Sequence, residues 1–172
     1  MDEQIRRATA HDSIILADMI RASFKDVADR FLLTSRNCPT HPSNCTAEWI
    51  QDALAKGVEY YILTQYDQPA GCVAILKANR DVFYMERLAV LPEFRDRGYG
   101  RMMVEYCIEQ AVQRGARRIE AGLNADQSEL VEWYHRMGFR FKQRARLHHL
   151  PYTVAFMYYD LHEEFVYDST TA

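Results

Sequence analysis

Apolar and polar positions along the chain alternate between two periods. Residues 5–8 read as a short strand. Thr9 or Asp12 then caps a helix whose apolar positions Ile15, Leu16, Met19, Ile20 and Phe24 fall on one helical face. Residues 34–46 break that period with Pro39 and Pro42. Thr46 caps a second helix through Trp49, Ile50 and Leu54, which ends near Gly57. Strands over 60–64 and 72–76 flank the turn residues Asp67-Gln68-Pro69-Ala70-Gly71, and a longer strand over 82–90 stops at Pro92. A third helix begins near Gly98, lines up Met103, Cys107 and Ala111, and ends at Gly115. Ile119, Ala121 and Leu123 alternate as a strand. Asp126 with Glu129 has the pattern of a capping box for a fourth helix, which Gly138 ends. Residues 139–141 and 154–159 read as two closing strands, and residues 162–172 as a loose tail.

This order predicts a mixed α/β fold in which helices cover a single sheet. The chain has 172 residues, the size of one domain of ~100–200 residues. No repeat or Gly/Ser/Pro-rich linker divides it, so residues 1–172 are expected to form a single domain. Hydrophobic residues at 48% and charged residues at 26% exclude global disorder and a fibrous repeat. A net charge of −3 argues against a nucleic-acid partner. No apolar run reaches the ~18 residues of a membrane span, and the N-terminus lacks the apolar core of a signal peptide. A cytoplasmic location without a membrane partner is the expectation. Cys72 and Cys107 lie in apolar segments and read as small buried hydrophobes that need no disulfide.

The candidate chemistry centres on Leu88-Ala89-Val90-Leu91-Pro92-Glu93-Phe94-Arg95-Asp96-Arg97-Gly98-Tyr99-Gly100-Arg101. Two glycines and several arginines sit between a strand and a helix N-terminus. Glycine lets backbone N–H groups approach a ligand, and the helix start offers unpaired donors with positive partial charge. That combination suits a phosphate or pyrophosphate. It is not a P-loop, because Gly100 is followed by Arg101 and Met102 rather than Lys and Ser/Thr. It is not a dinucleotide fingerprint, because a third glycine is missing.

The segment Arg95-Asp96-Arg97-Gly98-Tyr99-Gly100 instead resembles the Arg/Gln-x-x-Gly-x-Gly/Ala signature of the GNAT superfamily of N-acetyltransferases. A second element of that family also fits: Asn124 after the next strand, then Tyr134-His135-Arg136-Met137-Gly138-Phe139 at the end of the next helix. The resemblance is clear over residues 82–141. It implies a mostly antiparallel sheet of about six to seven strands, splayed in the middle and flanked by about four helices. It implies acetyl-CoA, or another acyl-CoA, as co-substrate, with no metal. The pyrophosphate would rest on the loop of Arg95, Arg97, Gly98, Tyr99, Gly100 and Arg101. The pantetheine arm would pair with the backbone of Leu88, Ala89 and Val90, and a backbone N–H near Val90 would face the thioester oxygen. Asn124 would bond the same arm or hold the splay.

Catalytic roles follow from the same resemblance. Glu86 would be the general base; by strand alternation it shares a face with Tyr84, Leu88 and Val90, where apolar neighbours would desolvate it. The alternative for Glu86 is a solvated carboxylate or one salt-bridged to the neighbouring Arg87. Tyr134 would protonate the departing thiolate; its alternative is a helix tyrosine packed on Trp133 or Phe139. The acceptor side would be built by residues 24–46 and 140–152. Cys38, His41 and Cys45 could act as metal ligands in the first of these, but a closed zinc site needs a fourth; a proline-stiffened lid is the simpler reading. Arg140, Lys142, Arg144 and Arg146 form either a basic face or a solvated strand face. A small-molecule amine is the favoured acceptor. A peptide acetyltransferase and a non-catalytic acyl-CoA-binding regulator are the alternatives, and a homodimer is an assembly common in the family.

Overall fold

A computed structural model describes residues 2–161; the tail expected over 162–172 lies outside them. The elements in chain order are β1 (Glu3–Arg7), α1 (Ser13–Arg30), α2 (Ala47–Ala55), β2 (Glu59–Gln65), β3 (Gln68–Lys77), β4 (Val82–Val90), α3 (Tyr99–Gln113), β5 (Arg118–Asn124), α4 (Ser128–Arg136), β6 (Arg140–Arg146) and β7 (Thr153–Asp160). The strands form one seven-stranded sheet in the order β1-β2-β3-β4-β5-β7-β6. Every neighbouring pair is antiparallel except β4 and β5.

Helices cover both faces, which is why the inner strands read as continuous apolar runs. Tyr60, Ile62, Cys72 and Ala74 pack beneath Leu16, Ile20 and Ile50 of α1 and α2. Their strand neighbours Tyr61, Leu63, Val73 and Ile75 face the other way, against Met103, Val104 and Cys107 of α3. Thr46 caps α2 as expected, its hydroxyl accepting from the Trp49 N–H at 3.2 Å. Asp12 turns back rather than forward. Its carboxylate accepts from the Thr9 N–H at 2.9 Å and from both terminal nitrogens of Arg6, and the Arg6 guanidinium holds its pKa down at about 2. The capping box expected from Asp126 and Glu129 does not form. Gln127 precedes the helix without a side-chain cap bond. The Asn124 side-chain oxygen takes the Asp126 N–H at 3.0 Å instead, and Glu129 pairs with Arg30 across to α1.

Two irregularities shape the middle of the sheet. The parallel strands β4 and β5 pair only at Val82–Arg118, Phe83–Ile119 and Tyr84–Glu120. Beyond those positions they part. On its other edge β4 carries a bulge: its register against β3 jumps from Ala74–Glu86 to Cys72–Ala89. Arg87 occupies the left-handed region there, with φ of 54°. The extra residue reverses the side-chain alternation. Phe83 and Met85 belong to the α3 face, and Leu88 and Val90 pack against that same face. Glu86 therefore does not share a face with Leu88 and Val90, contrary to simple period-two reading.

Gly71 permits the close approach of β3 to this bulged strand. A Cβ there would lie 2.6 Å from the Ala89 carbonyl oxygen and 2.8 Å from Met103 Cε. Gly71→Ala should lower stability by about 1–3 kcal/mol, because a backbone carbonyl cannot step aside. Urea unfolding of the two proteins measures this; an unchanged midpoint would show that β3 and β4 have slack at this point.

Candidate active site

The parting of β4 and β5 opens a cavity of about 540 Å³. Its walls come from both strands, from Tyr134 of α4, from Phe24 of α1, and from the loops around His41 and Tyr152. From Met85 onward, the β4 edge that faces β5 has no strand partner. Leu88, Ala89 and Val90 lie on that stretch. They offer backbone to the gap, while the Ala89 side chain is buried beneath α1 and α2.

The loop after β4 turns through a short helical turn at Pro92–Phe94 and enters α3 at Tyr99. Asp96 and Gly98 both adopt left-handed backbone, with φ of 62° and 83°. Alternation of this kind makes successive N–H groups converge into an anion-binding nest. The first helical bond is donated by the Met102 N–H to the Gly98 carbonyl, at 3.0 Å. Among the described residues, none of the N–H groups from Asp96 through Arg101 has a protein acceptor. Gly100 lies over Trp133: a Cβ there would sit 3.1 Å from the indole.

The arginines of this loop divide. Arg95 points inward as a clasp, donating to Asp26 at 2.7 Å, to the Ser23 carbonyl at 2.7 Å and to the Val90 carbonyl at 3.3 Å. Arg97 reaches Gln65 at 3.1 Å and stacks over Phe94. Arg101 pairs with Glu105 one turn along α3, at 2.9 Å.

Tyr134 is 3% exposed and packs edge-on against both Trp133 and Phe139, with ring centroids 5.1 Å apart in each case. It also lines the cavity. Burial, with a smaller effect of Cys107, pushes its phenol above the usual range, so the group keeps its proton. Asn124 ends β5, and its side-chain nitrogen is buried without a hydrogen-bond partner among the described residues. Such a donor is costly unless a ligand takes the bond. Glu86 lines the cavity but is exposed, so the expected desolvation by apolar neighbours is absent.

The segment 34–46 is anchored at three buried side chains and exposed over much of the rest. Cys38 and Cys45 are free and buried, and His41 is 4% exposed. His41 Nδ1 accepts from the Ser43 N–H at 3.2 Å and lies 2.7 Å from the Ser43 hydroxyl. Its ring meets Phe24 edge-on. Burial, helped by the charge of Arg87, lowers its pKa to about 4. Among the described residues no group of three or more His, Cys, Asp or Glu could hold a metal ion. None of the described helices is long and apolar enough to cross a membrane. The basic alternation of β6 is broken by a bulge at Lys142, whose ammonium donates to Glu120 at 2.6 Å.

A model of the acetyltransferase (GNAT) family matches residues 24–139. The chain belongs to the GNAT family. It is 34% identical over 65 residues to an uncharacterized N-acetyltransferase of Methanocaldococcus jannaschii, a stretch that is 38% of this chain and 29% of that one. Over 114 residues it is 24% identical to a peptidyl-lysine N-acetyltransferase of Salmonella typhimurium, covering 65% of this chain and 72% of that one. An acetyltransferase structure from Salmonella typhimurium with acetyl-CoA superposes with a TM-score of 0.69 at 15% identity, over 98% of this chain and 99% of the other. The ribosomal-protein-S18-alanine N-acetyltransferase of Escherichia coli gives 0.71 at 15% identity, over 92% and 94%. At those identities the likeness to solved structures is one of fold.

Within this GNAT fold, Phe24, His41 and Tyr152 of the cavity wall fall in the segments 24–46 and 140–152 expected on the acceptor side, although the sequence singles out none of them for that role; Arg87 has no expected site role at all. Nothing in the local sequence marks Arg87: regular alternation would send it away from Glu86, and only the bulge brings both to one cavity. His41 yields a pH prediction. Its pKa rises from about 4 in the folded chain toward ~6.5 on unfolding. Between those values the unfolded state binds more protons, so stability falls as pH drops through this window. From pH 7 to pH 5 the loss attributable to His41 should be about 1–2 kcal/mol. Urea titrations at the two pH values should show a smaller loss in His41→Gln; an equal loss would assign the effect elsewhere.

Proposed function

We propose that this chain is an N-acetyltransferase that moves an acetyl group from acetyl-CoA to a primary amine, with donor and acceptor bound together. One observation carries the reading. Among the described residues, the six consecutive N–H groups from Asp96 to Arg101 lack protein acceptors, and they follow the unpaired edge of β4 by one short helical turn. An acyl-CoA has the matching order of parts: a pyrophosphate for the nest, then an amide-bearing arm that can pair with Leu88, Ala89 and Val90 as an added strand. The buried, unpartnered nitrogen of Asn124 fits an amide oxygen of such an arm. Gly98 supplies the left-handed turn of the nest, and Tyr99, Gly100 and Arg101 the helix-start donors.

The acceptor amine attacks the thioester carbonyl as a neutral nucleophile. A new C–N bond forms and the C–S bond breaks. Glu86 takes the amine proton, directly or through water, and Tyr134 gives its phenolic proton to the leaving sulfur. Burial of Tyr134 keeps that proton in place at working pH. A backbone N–H near Val90 is the donor to the developing oxyanion. A cavity of about 540 Å³ lies in the ~300–1,000 Å³ range of small-molecule sites, which supports a small amine over a protein side chain.

Acetyl-CoA at 100 times its Kd should stabilise the chain by ~2.7 kcal/mol, read as a rise in Tm that Asn124→Ala reduces. No shift at millimolar ligand would remove the acyl-CoA site. Tyr134→Phe should lower kcat by roughly 10²-fold while leaving the Kd for acetyl-CoA within about threefold. An unchanged kcat in thiol-release assays would exclude Tyr134 as the acid.

A further inference from the structure

Glu86 and Arg87 are consecutive on β4, yet both line the same cavity. In an unbroken strand they would point to opposite faces. The left-handed bulge at Arg87 is what brings a carboxylate and a guanidinium together on one wall. Among the residues that line the cavity, Arg87 is the one lysine or arginine.

Its state is unusual for this chain. Arg6, Arg21, Arg95, Arg114 and Arg118 are each held by hydrogen bonds or carboxylates. Arg87 is half-buried, and among the described residues it has neither a hydrogen bond nor an ion pair from its side chain. Glu86 beside it likewise has no partner among the described residues. The other cavity carboxylate, Glu120, is taken by Lys142, and His41 is neutral across working pH. Among the described residues, no carboxylate on the opposite walls is therefore left to neutralise Arg87. Its charge is felt by His41, Cys45, Tyr60, Cys72 and Tyr152, which places the guanidinium on the α1 and α2 side of β4, near the loops around His41 and Tyr152. A half-buried cation without a counter-ion is costly in the free protein and rewards a ligand that brings one.

We propose that the acceptor is a small amine that also carries a carboxylate, of which a free α-amino acid is the simplest, and that Arg87 binds this carboxylate while Glu86 meets the amine. This rests on the acetyl-transfer reading above and names its substrate class. Adjacent residues have Cα atoms only ~3.8 Å apart, so one small molecule can engage both. The planar fork of an arginine matches a carboxylate in two parallel hydrogen bonds. A single cation suits that monoanion better than a phosphate dianion. Arg87 acts as a specificity-determining residue, while the proton transfers remain with Glu86 and Tyr134.

The test compares the twenty standard amino acids with their carboxamides as acceptors, in the presence of acetyl-CoA, by release of free thiol. Each carboxamide keeps the amine and side chain but loses the charge. For the best acceptor, kcat/KM for the acid should exceed that for the carboxamide by roughly 10- to 100-fold. Arg87→Met should bring that ratio close to one, and Arg87→Lys should keep part of it. A wild-type ratio near one, or a ratio that survives Arg87→Met, overturns the proposal. Turnover of neither series, despite a Tm shift with acetyl-CoA, counts against acetyl transfer to such amines. Calorimetric titration of the same pairs onto CoA-loaded protein then decides the charge pairing separately. Acids binding more tightly than carboxamides in wild type but not in Arg87→Met uphold it; equal binding in wild type overturns it.

Discussion

Two parallel strands that pair over three residues and then separate set the terms for the rest of this molecule. Backbone groups inside a sheet need partners. Where β4 and β5 diverge, their facing edges lose the partners that a continued ladder would supply. The opening is tolerable because it borders a cavity rather than apolar packing. It also places a strand edge, the N-terminus of α3 and the buried amide of Asn124 around one gap. The chemistry proposed here needs these three together.

An opening of this kind has to be braced, and the braces are identifiable. Arg95 ties the loop before α3 to Asp26 and Ser23 of α1 and to the Val90 carbonyl at the end of β4. Arg30 and Glu129 join α1 to α4 on the opposite rim. An exposed pair such as Arg30 with Glu129 contributes little to stability, but it fixes how two helices on either side of the cleft face each other. Apolar packing does the larger part. Gly100 lies against Trp133, Trp133 meets Tyr134, and Tyr134 meets Phe139. The start of α3 and the tyrosine are thereby packed in one continuous stack.

The bulge at Arg87 is the second determinant. One extra residue in β4 moves Leu88 and Val90 to the α3 face and leaves Arg87 beside Glu86 on the cavity wall. A strained left-handed residue at a site of proposed binding is a recurring way to re-aim a side chain. Here it sets side by side two opposite charges that lack partners among the described residues.

Much of this architecture was legible in the sequence. Local signals such as Thr46 before α2, the glycines that end α2 and α3, and the Gly98–Gly100 spacing act over a few residues, and the chain around them folds as those signals direct. The family motifs marked the loop from Arg95 to Arg101 together with Asn124 and Tyr134, because that chemistry depends on spacing along the chain. The errors have a common origin. Asp126 and Glu129 form no capping box, because Asn124 and Arg30 bind those groups first. The face shared by Glu86 and Val90 fails because a bulge is fixed by the register of β3 against β4, which no window of a single strand contains. The sequence by itself determined the elements, their order and the glycine–arginine loop before α3, since those depend on neighbours. Only the tertiary structure decided which charges remain unpaired and which face of β4 meets the cavity, since both depend on contacts between residues far apart in the chain.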